Sequence, residues 1–504
     1  MKKRYLLILL AIAGLGFYLR FKNLDQPYLW QDEAESAIYA LQILETGYPH
    51  SEFRGETLYE NKLLFLGDGE KYQYQSTNFF GSKYEKNKGW LPYYLMALSF
   101  KALGVDNFSA RLPSVLISVL TIILIYFLAK EFFSSTFSLC AAFLYAINYA
   151  AIYYERQARY YSLEIFLVIL SLYLFYLFLK TKKDKFLFLT SVGLILLFHT
   201  HIVIFLTMAV FFAGYYFYKN PGLLILKNKI FWLSAIFFLA STIPWLILVN
   251  FLEIFSYALI NFYDKLVILI FIIFNLFLLL AIKFLYQYVV GRKINLDIVA
   301  QKFIYLILFL IFGIFTTSLF LPEESLASRS FVWTLPILLI FLVYCFIIFL
   351  KTGFKFISIV LFSFFLTWFL FFFSPFGFIQ AKQAEIFKSA WVEALINYLK
   401  LKRVPTTTLI LTSHDQFSLM FYSDYAAQLI WPINCSYLKN YPSRLIFATK
   451  GKINPVSFGF NYFGEQAPDK FFELFNCFTY DKNCQTAENQ EVTIYDCRPK
   501  EEPK

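Results

Sequence analysis

NYAAIYYERQARYYSLEIFLVILSLYLFYLFLKTKKDK, residues 148–185, decides how the rest of the chain is read. From Tyr161 to Leu179 the only breaks in an apolar and aromatic run are Ser162, Glu164 and Ser171. Such a run is long enough to cross a hydrocarbon layer of about 30 Å as a helix. Charge collects at its two ends, Arg156 and Arg159 before it and KTKKDK (Lys180 to Lys185) after it. A dry interior with polar ends is the pattern of a membrane-spanning helix.

Working outward, the same pattern repeats along all 504 residues. The chain is 59% hydrophobic and 16% charged, with a mean hydropathy of +0.57, whereas soluble domains are about a quarter charged. The 64 Phe and 37 Tyr supply the aromatic mass that gathers at membrane interfaces. The sequence predicts an all-α polytopic membrane bundle of about eleven transmembrane helices. These fall near 5–20, 112–129, 136–153, 161–179, 186–199, 201–218, 230–252, 266–288, 303–321, 331–350 and 354–373. The net charge of +11 would suggest nucleic acid in a soluble protein. Here the excess lies in short loops between apolar runs, so membrane lipids are the partner it implies and nucleic acid is not.

The loops also orient the bundle. Lys130, KTKKDK, Lys219 with Lys227 and Lys229, Arg292 with Lys293, and Lys351 with Lys355 fall in alternate connections, on the side of Lys2, Lys3 and Arg4. The positive-inside rule then places the N-terminus in the cytoplasm and residues after about 373 outside a cell (inner or plasma) membrane. MKKR and the run from Tyr5 to Leu19 resemble a signal peptide, but no small-x-small cleavage site follows, which predicts an uncleaved first helix.

Residues 1–373 form the expected transmembrane domain, and two polar regions face outward on this map. The first is the long loop 21–110. Within it LPYYLMALSFKALG, with Pro92 near its start, reads as an amphipathic helix in the interface. The second is the tail, 374–504. AEIFKSAWVEALINYLK reads as a helix, and TTTLILTS, RLIFAT and VTIYD read as strands, which predicts a small α/β C-terminal extracytoplasmic domain. Cys435, Cys477, Cys484 and Cys497 lie there, so two disulfides fit an oxidising compartment, with three pairings open.

Three polar groupings on the outer side can carry chemistry. WQDEAESAIYA, Trp30 to Ala40, places Asp32 and Glu33 at a helix start just beyond the first span. The bland account is an acidic first turn favoured by the helix dipole. The functional account is a carboxylate at the membrane surface that takes a proton from an acceptor hydroxyl or amine, or holds a divalent cation. Lys88, Arg111, Arg156, Arg159 and Arg329 form the second group. Each alone reads as a snorkelling anchor. Together, on the side that should be poor in cations, they can grip a lipid-linked phosphate, whose oxygens match guanidinium forks. The third is His199 and His201 in HTH, either a solvated helix end or contacts to a metal or pyrophosphate. In an extended stretch the two rings would point apart and would not share one ion. Glu164, near a helix end, is expected to pair with one of the arginines. No P-loop, GxGxxG, zincin or GxSxG motif occurs in a usable context.

In order along the chain, Asp32-Glu33, PYYLMALSFKALGVDNFSARLPSV, NYAAIYYERQARYYSLEIF and, less specifically, HTH and SRSFVWTLPIL resemble one family. This is the C-type glycosyltransferases of the protein O-mannosyltransferase and lipid A aminoarabinose transferase superfamily. The resemblance implies a GT-C fold, an outward cavity and a polyprenyl-phosphate sugar as donor. It implies Asp32 as general base or acceptor-orienting residue, and Lys88 and Arg111 either at the lipid phosphate or in support of the acidic loop. Where aminoarabinose transferases carry an acidic residue before the lysine this chain has Asn87, and Glu35 stands where they carry a basic residue. The mannosyltransferase-like subgroup, in which a metal need not take part, stays open. The expected function is an inverting transfer of a sugar to an extracytoplasmic protein, glycan or lipid. A transporter or flippase for a lipid-linked or anionic substrate is the alternative; it would need ionisable groups deep in the spans and paired half-repeats.

Overall fold

The computed structural model describes residues 3–50, 52–54, 56–57, 64–66, 70–73, 84, 89–219, 224–249, 332–351, 391–406, 408–412, 416–429, 445–450, 485–488 and 492–497. The predicted spans 266–288, 303–321 and 354–373 lie outside these residues, as do Lys88 and Arg329 and the cysteines 435, 477 and 484. The chain forms two compact units. One comprises Met1–Leu24, Lys86–Pro92 and Arg111–Phe378, the other Asp25–Glu85, Tyr93–Ala110 and Ile379–Lys504.

Among the described residues the first unit is helical. Its members are α1 (Lys3–Phe21), α4 (Asn107–Lys130, which enters this unit at Arg111), α5 (Ser135–Ala146) and α6 (Tyr149–Glu155), then α7 (Tyr161–Thr181), α8 (Asp184–Phe198), α9 (Ile202–Lys219), α10 (Lys229–Leu248) and α11 (Leu335–Lys351). Among the described residues α1, α4, α7 and α10 are long and apolar enough to cross a membrane, and the α5–α6 pair adds a fifth if taken as one bent span. α7 packs on α8, α8 on α9 and α10, and α1 and α11 on α5. A Cβ on Gly193 of α8 would stand 2.5 Å from Ser171 Oγ of α7, so small residues set the closeness of that pair.

The single span expected at 136–153 is instead two helices bent by 58°. Asn148 is the physical reason: its side chain accepts from the Ala151 N–H at 2.9 Å and caps α6, a bond that competes with continuing α5.

At one end of this unit Lys180 pairs with Glu131 at 2.7 Å, and Asn228 Nδ2 donates to Asp184 at 2.7 Å. The α4–α5, α7–α8 and α9–α10 connections therefore share an end. At the opposite end Ser162 Oγ donates to the Ser114 carbonyl at 2.6 Å, tying the start of α7 to α4.

The second unit contains α2 (Gln31–Thr46), α3 (Leu91–Leu103, in this unit from Tyr93), the helix at 391–401 (α12) and α13 (Gln416–Tyr422). Strands β1 (Glu52–Phe53) and β2 (Glu56–Thr57) form one hairpin, β3 (Leu64–Leu66) and β4 (Glu70–Gln73) another. Five strands, β5 (Leu409–Thr412), β6 (Ala427–Leu429), β7 (Leu445–Lys450), β8 (Gln485–Glu488) and β9 (Val492–Cys497), make a mixed sheet in the order β6-β5-β7-β9-β8. β5 runs parallel to β6 and β7, while β9 is antiparallel to β7 and β8. Leu409, Ile410, Leu411, Ile446 and Phe447 bury the sheet's apolar side chains.

α3 has 13 residues, about 20 Å at 1.5 Å per residue, which is too short to span. Tyr93, Met96, Ala97 and Phe100 are its buried residues, one face of a helix, while Leu98 is 65% exposed on another. α2 ends at Gly47, whose φ of +85° suits a glycine and whose N–H reaches the Ile43 carbonyl at 2.9 Å.

Candidate active site

The acidic motif lies in the second unit and begins α2. Asp32 and Glu33 occupy its first turn and are 7% and 1% exposed; Glu35, a turn on, is 4% exposed. A surface helix would turn such residues to water, because burying a carboxylate is costly unless it is matched. Here residues 31 to 40 are buried on every side. Asp32, Glu35 and Ser36 share a face by helical spacing, and Ser36 Oγ donates to the Asp32 carbonyl at 3.0 Å. The positive end of the helix dipole favours negative charge in that first turn.

The chain just before Asp32 is held by the tail. Gln31 Nε2 donates to Gln416 Oε1 at 2.7 Å, and the Phe417 N–H donates to Gln31 Oε1 at 3.2 Å. The Leu29 N–H donates to Tyr422 Oη at 2.6 Å, and Ser418 Oγ donates to the Leu29 carbonyl at 2.8 Å. Sequence reading missed Gln31, Gln416 and Tyr422. Neutral glutamines carry no motif, and 385 residues separate the two that meet.

Of the basic residues, Arg111, Arg156 and Arg159 lie in the first unit, at the end opposite the lysine-rich connections. Arg111, 5% exposed, donates to the Leu24 carbonyl at 3.1 Å. Arg159, 7% exposed, stands beside the Tyr160 ring at 5.5 Å from its centroid. Arg156 is committed to the end of α1, donating to the carbonyls of Leu19, Lys22 and Asn23 at 3.3, 2.8 and 3.0 Å. A cation on those carbonyls complements the helix C-terminus. Between the two arginines Gln157 is 4% exposed, and its Oε1 meets no hydrogen-bond partner among the described residues. Lys88 and Arg329 are outside the described residues, but the neighbour of Lys88 is placed closely. A Cβ on Gly89 would stand 2.2 Å from the His199 carbonyl carbon and oxygen, and the Leu91 N–H donates to that oxygen at 2.9 Å. Gly89 and Leu91 are thereby seated on the HTH turn.

His199 Nε2 lies 3.1 Å from the Ser241 carbonyl on α10, whereas His201 Nδ1 lies 3.9 Å from Glu164 on α7, with its ring 4.9 Å from that of Tyr160. The rings face different helices. Among the described residues no three His, Cys, Asp or Glu side chains gather as a metal site would need. Among the described residues Glu164 faces His201 rather than an arginine, correcting the expected pairing. Among the described residues of the helical unit the carboxylate that pairs with an arginine is Glu155, which meets Arg20 at 2.8 Å with both side chains 0% exposed. Arg20 sits at the end of an apolar helix, where the sequence gives it the look of an anchor.

Residues 87–248 match the family model described as dolichyl-phosphate-mannose-protein mannosyltransferase. The chain superposes on the crystal structure of ArnT from Cupriavidus metallidurans in the apo state with a TM-score of 0.59 at 12% identity, covering 98% of both chains. The C-type fold is thereby shown. This chain has the fold of a C-type glycosyltransferase. ArnT bound to undecaprenyl phosphate gives 0.55 at 11% identity, again over 98% of each chain. The Archaeoglobus fulgidus oligosaccharyltransferase tethered with an acceptor peptide containing the NVT sequon gives 0.51 at 11% identity, over 88% of this chain and 69% of that one. A protein of Aquifex aeolicus (strain VF5) described as uncharacterized is 29% identical over 192 residues, 37% of this chain. The match spans 32% of that relative's length.

Proposed function

We propose that this protein is a membrane glycosyltransferase that moves a sugar from a polyprenyl-phosphate carrier to an extracytoplasmic acceptor. The observation that carries the reading is the burial of Asp32 and Glu33 in the first turn of α2, within a C-type fold. Two carboxylates removed from water at a helix head are retained for chemistry more readily than for stability. One structure with this fold holds undecaprenyl phosphate, and the matched family is described by a lipid-phosphate sugar and a protein acceptor. Both support the donor class.

In this reading the acceptor O–H or N–H loses its proton to Asp32 while its lone pair forms a bond to the anomeric carbon. The bond from that carbon to the phosphate oxygen breaks, and the lipid phosphate leaves with the electron pair, inverting the centre. Lys88, Arg111, Arg159 and Arg329 stabilise the departing phosphate. Arg156 contributes by fixing the end of α1 that leads toward the loop. Gln157 Oε1 is suited to accept from a sugar hydroxyl. Glu33 supports the charge balance beside Asp32. We place residues 374–504 and the loop 21–110 outside the membrane, with α3 in the interface.

The test is discharge of radiolabelled polyprenyl-phosphate sugars by purified protein. Asp32→Asn removes the proton acceptor but keeps the shape, and should lower turnover by at least ~100-fold, the scale of a lost general base. Wild-type turnover in that variant would remove Asp32 from the role. Uptake of a lipid-linked substrate without sugar release would favour a transporter.

A further inference from the structure

We infer that the short tail helix α13 is a positioning element for the catalytic carboxylate, with Gln416 and Tyr422 as its working residues. The inference rests on the proposed role of Asp32 and deepens it.

The N-cap position of α2 holds a residue that cannot cap it as Ser, Thr, Asp or Asn would. Trp30 is its N-cap and supplies no side-chain cap bond, although the first N–H groups of any helix need partners and a fixed entry. Residues 22–30 between α1 and α2 form turns and irregular backbone, and a carboxylate following such a stretch is held only as well as the stretch is. Support comes instead from α13. Its hydrogen bonds grip Leu29 through both backbone groups and Gln31 through both side-chain atoms, three and one residues from Asp32 respectively.

The grip is reciprocal. Gln31 Oε1 accepts from the Phe417 N–H, one of the first-turn donors that α13 cannot satisfy internally. Gln416 Oε1 accepts from Gln31 in return. Tyr422 adds a ring stacked on Tyr28 at 4.1 Å, and its hydroxyl also bonds Asn107. The other end of α13 is closed by Arg54, whose Nη1 donates to the carbonyls of Met420 at 2.8 Å and of Ser423. Gln416 and Phe417 are 4% and 0% exposed, so the bonds are shielded from competing water. Such a device fixes where the Asp32 carboxylate points without touching the donor lipid. In-line displacement is sensitive to placement at the scale of 1 Å, where errors cost about 100-fold.

The experiment compares full-length wild type, Gln31→Leu, Gln416→Leu, the double variant, Tyr422→Phe and Asp32→Asn in the carrier-discharge assay. Expected is a fall in kcat of roughly 10–100-fold for each glutamine variant with an unchanged KM for the donor. The double variant should be no slower than the slower single, because the two residues form one device. The acidic limb of the pH–rate profile should also move, which loss of folded protein alone would not cause. Tyr422→Phe keeps the stack on Tyr28 and deletes only the hydroxyl, so it reports on position even if Gln416→Leu folds poorly. Wild-type kcat and pH profile in Tyr422→Phe or in folded Gln416→Leu would overturn the inference. Failure of the wild-type protein to discharge any carrier would instead overturn the function on which it rests.

Discussion

Arg20 shows how much one side chain organises at the arginine-rich end of the helical unit. Its Nε donates to Glu155 at 2.8 Å, while Nη1 donates to the carbonyls of Ala146 at 2.8 Å and of Gly16 at 3.2 Å. Tyr145 Oη donates to the second oxygen of Glu155 at 2.7 Å. A guanidinium with no access to solvent is tolerable only when its donors are this well used. Gly16, whose carbonyl takes one of these bonds, makes room for Ile122 of α4: a Cβ there would stand 2.3 Å from Ile122 Cδ1. Removing one member strands the other charge. Arg20→Leu should therefore destabilise the protein by about 3–5 kcal/mol, and Glu155→Leu by a similar amount. The double replacement should recover most of that loss, since it leaves no orphaned charge. Thermal unfolding in one detergent, compared across the four proteins, measures the coupling; additive losses would show that the two side chains act separately.

The break between α5 and α6 is the element on which this pair acts. Ending α5 at Ala146 frees its last carbonyls, and Arg20 takes up that of Ala146, while the Asn148 side chain starts α6. Replacing Asn148 with Ala should cost about 1 kcal/mol, and Asp or Ser there should retain most of the stability. Equal melting of the Ala and Asp variants would assign the bend to packing alone. The sequence registers 136–153 as one span because hydropathy averages across Asn148, a single polar residue among apolar neighbours. What it shows well is whatever has a period or a composition: α1, α4, α7 and α10 lie where their apolar runs end, and α3 buries Tyr93, Met96, Ala97 and Phe100 at helical spacing. The head of α2 is legible as acidic because Asp32 and Glu33 adjoin. That it is buried is not legible, since the burial comes from chain far away in sequence, as α13 illustrates. Arg156 and Arg159 look alike on the page, three residues apart, yet one caps α1 and the other is 7% exposed beside Tyr160. Only folding separates their roles.

For the whole molecule, the distribution of charge along the helical unit carries its orientation. Glu131, Lys180, Asp184 and Asn228 hold three connections at one end, where the lysines of KTKKDK are exposed. Arg20, Arg111 and Arg156 stand at the other, engaged with backbone and carboxylate, and Arg159 is buried there beside the Tyr160 ring. Loose lysines follow the positive-inside rule, whereas bound arginines are set by local structure. The two kinds of cation thus give opposite instructions if they are merely counted, and burial decides which ones count. Lys22 and Lys183 are exposed and lie at opposite ends. In a background with the six native cysteines replaced by serine, Lys22→Cys should react with a membrane-impermeant maleimide in intact cells. Lys183→Cys should react only after permeabilisation. The reverse pattern would place the arginine-rich end in the cytoplasm, where an outward-facing transfer could not use it. Labelling of both in intact cells would mean that the helices between them do not form a barrier across the bilayer.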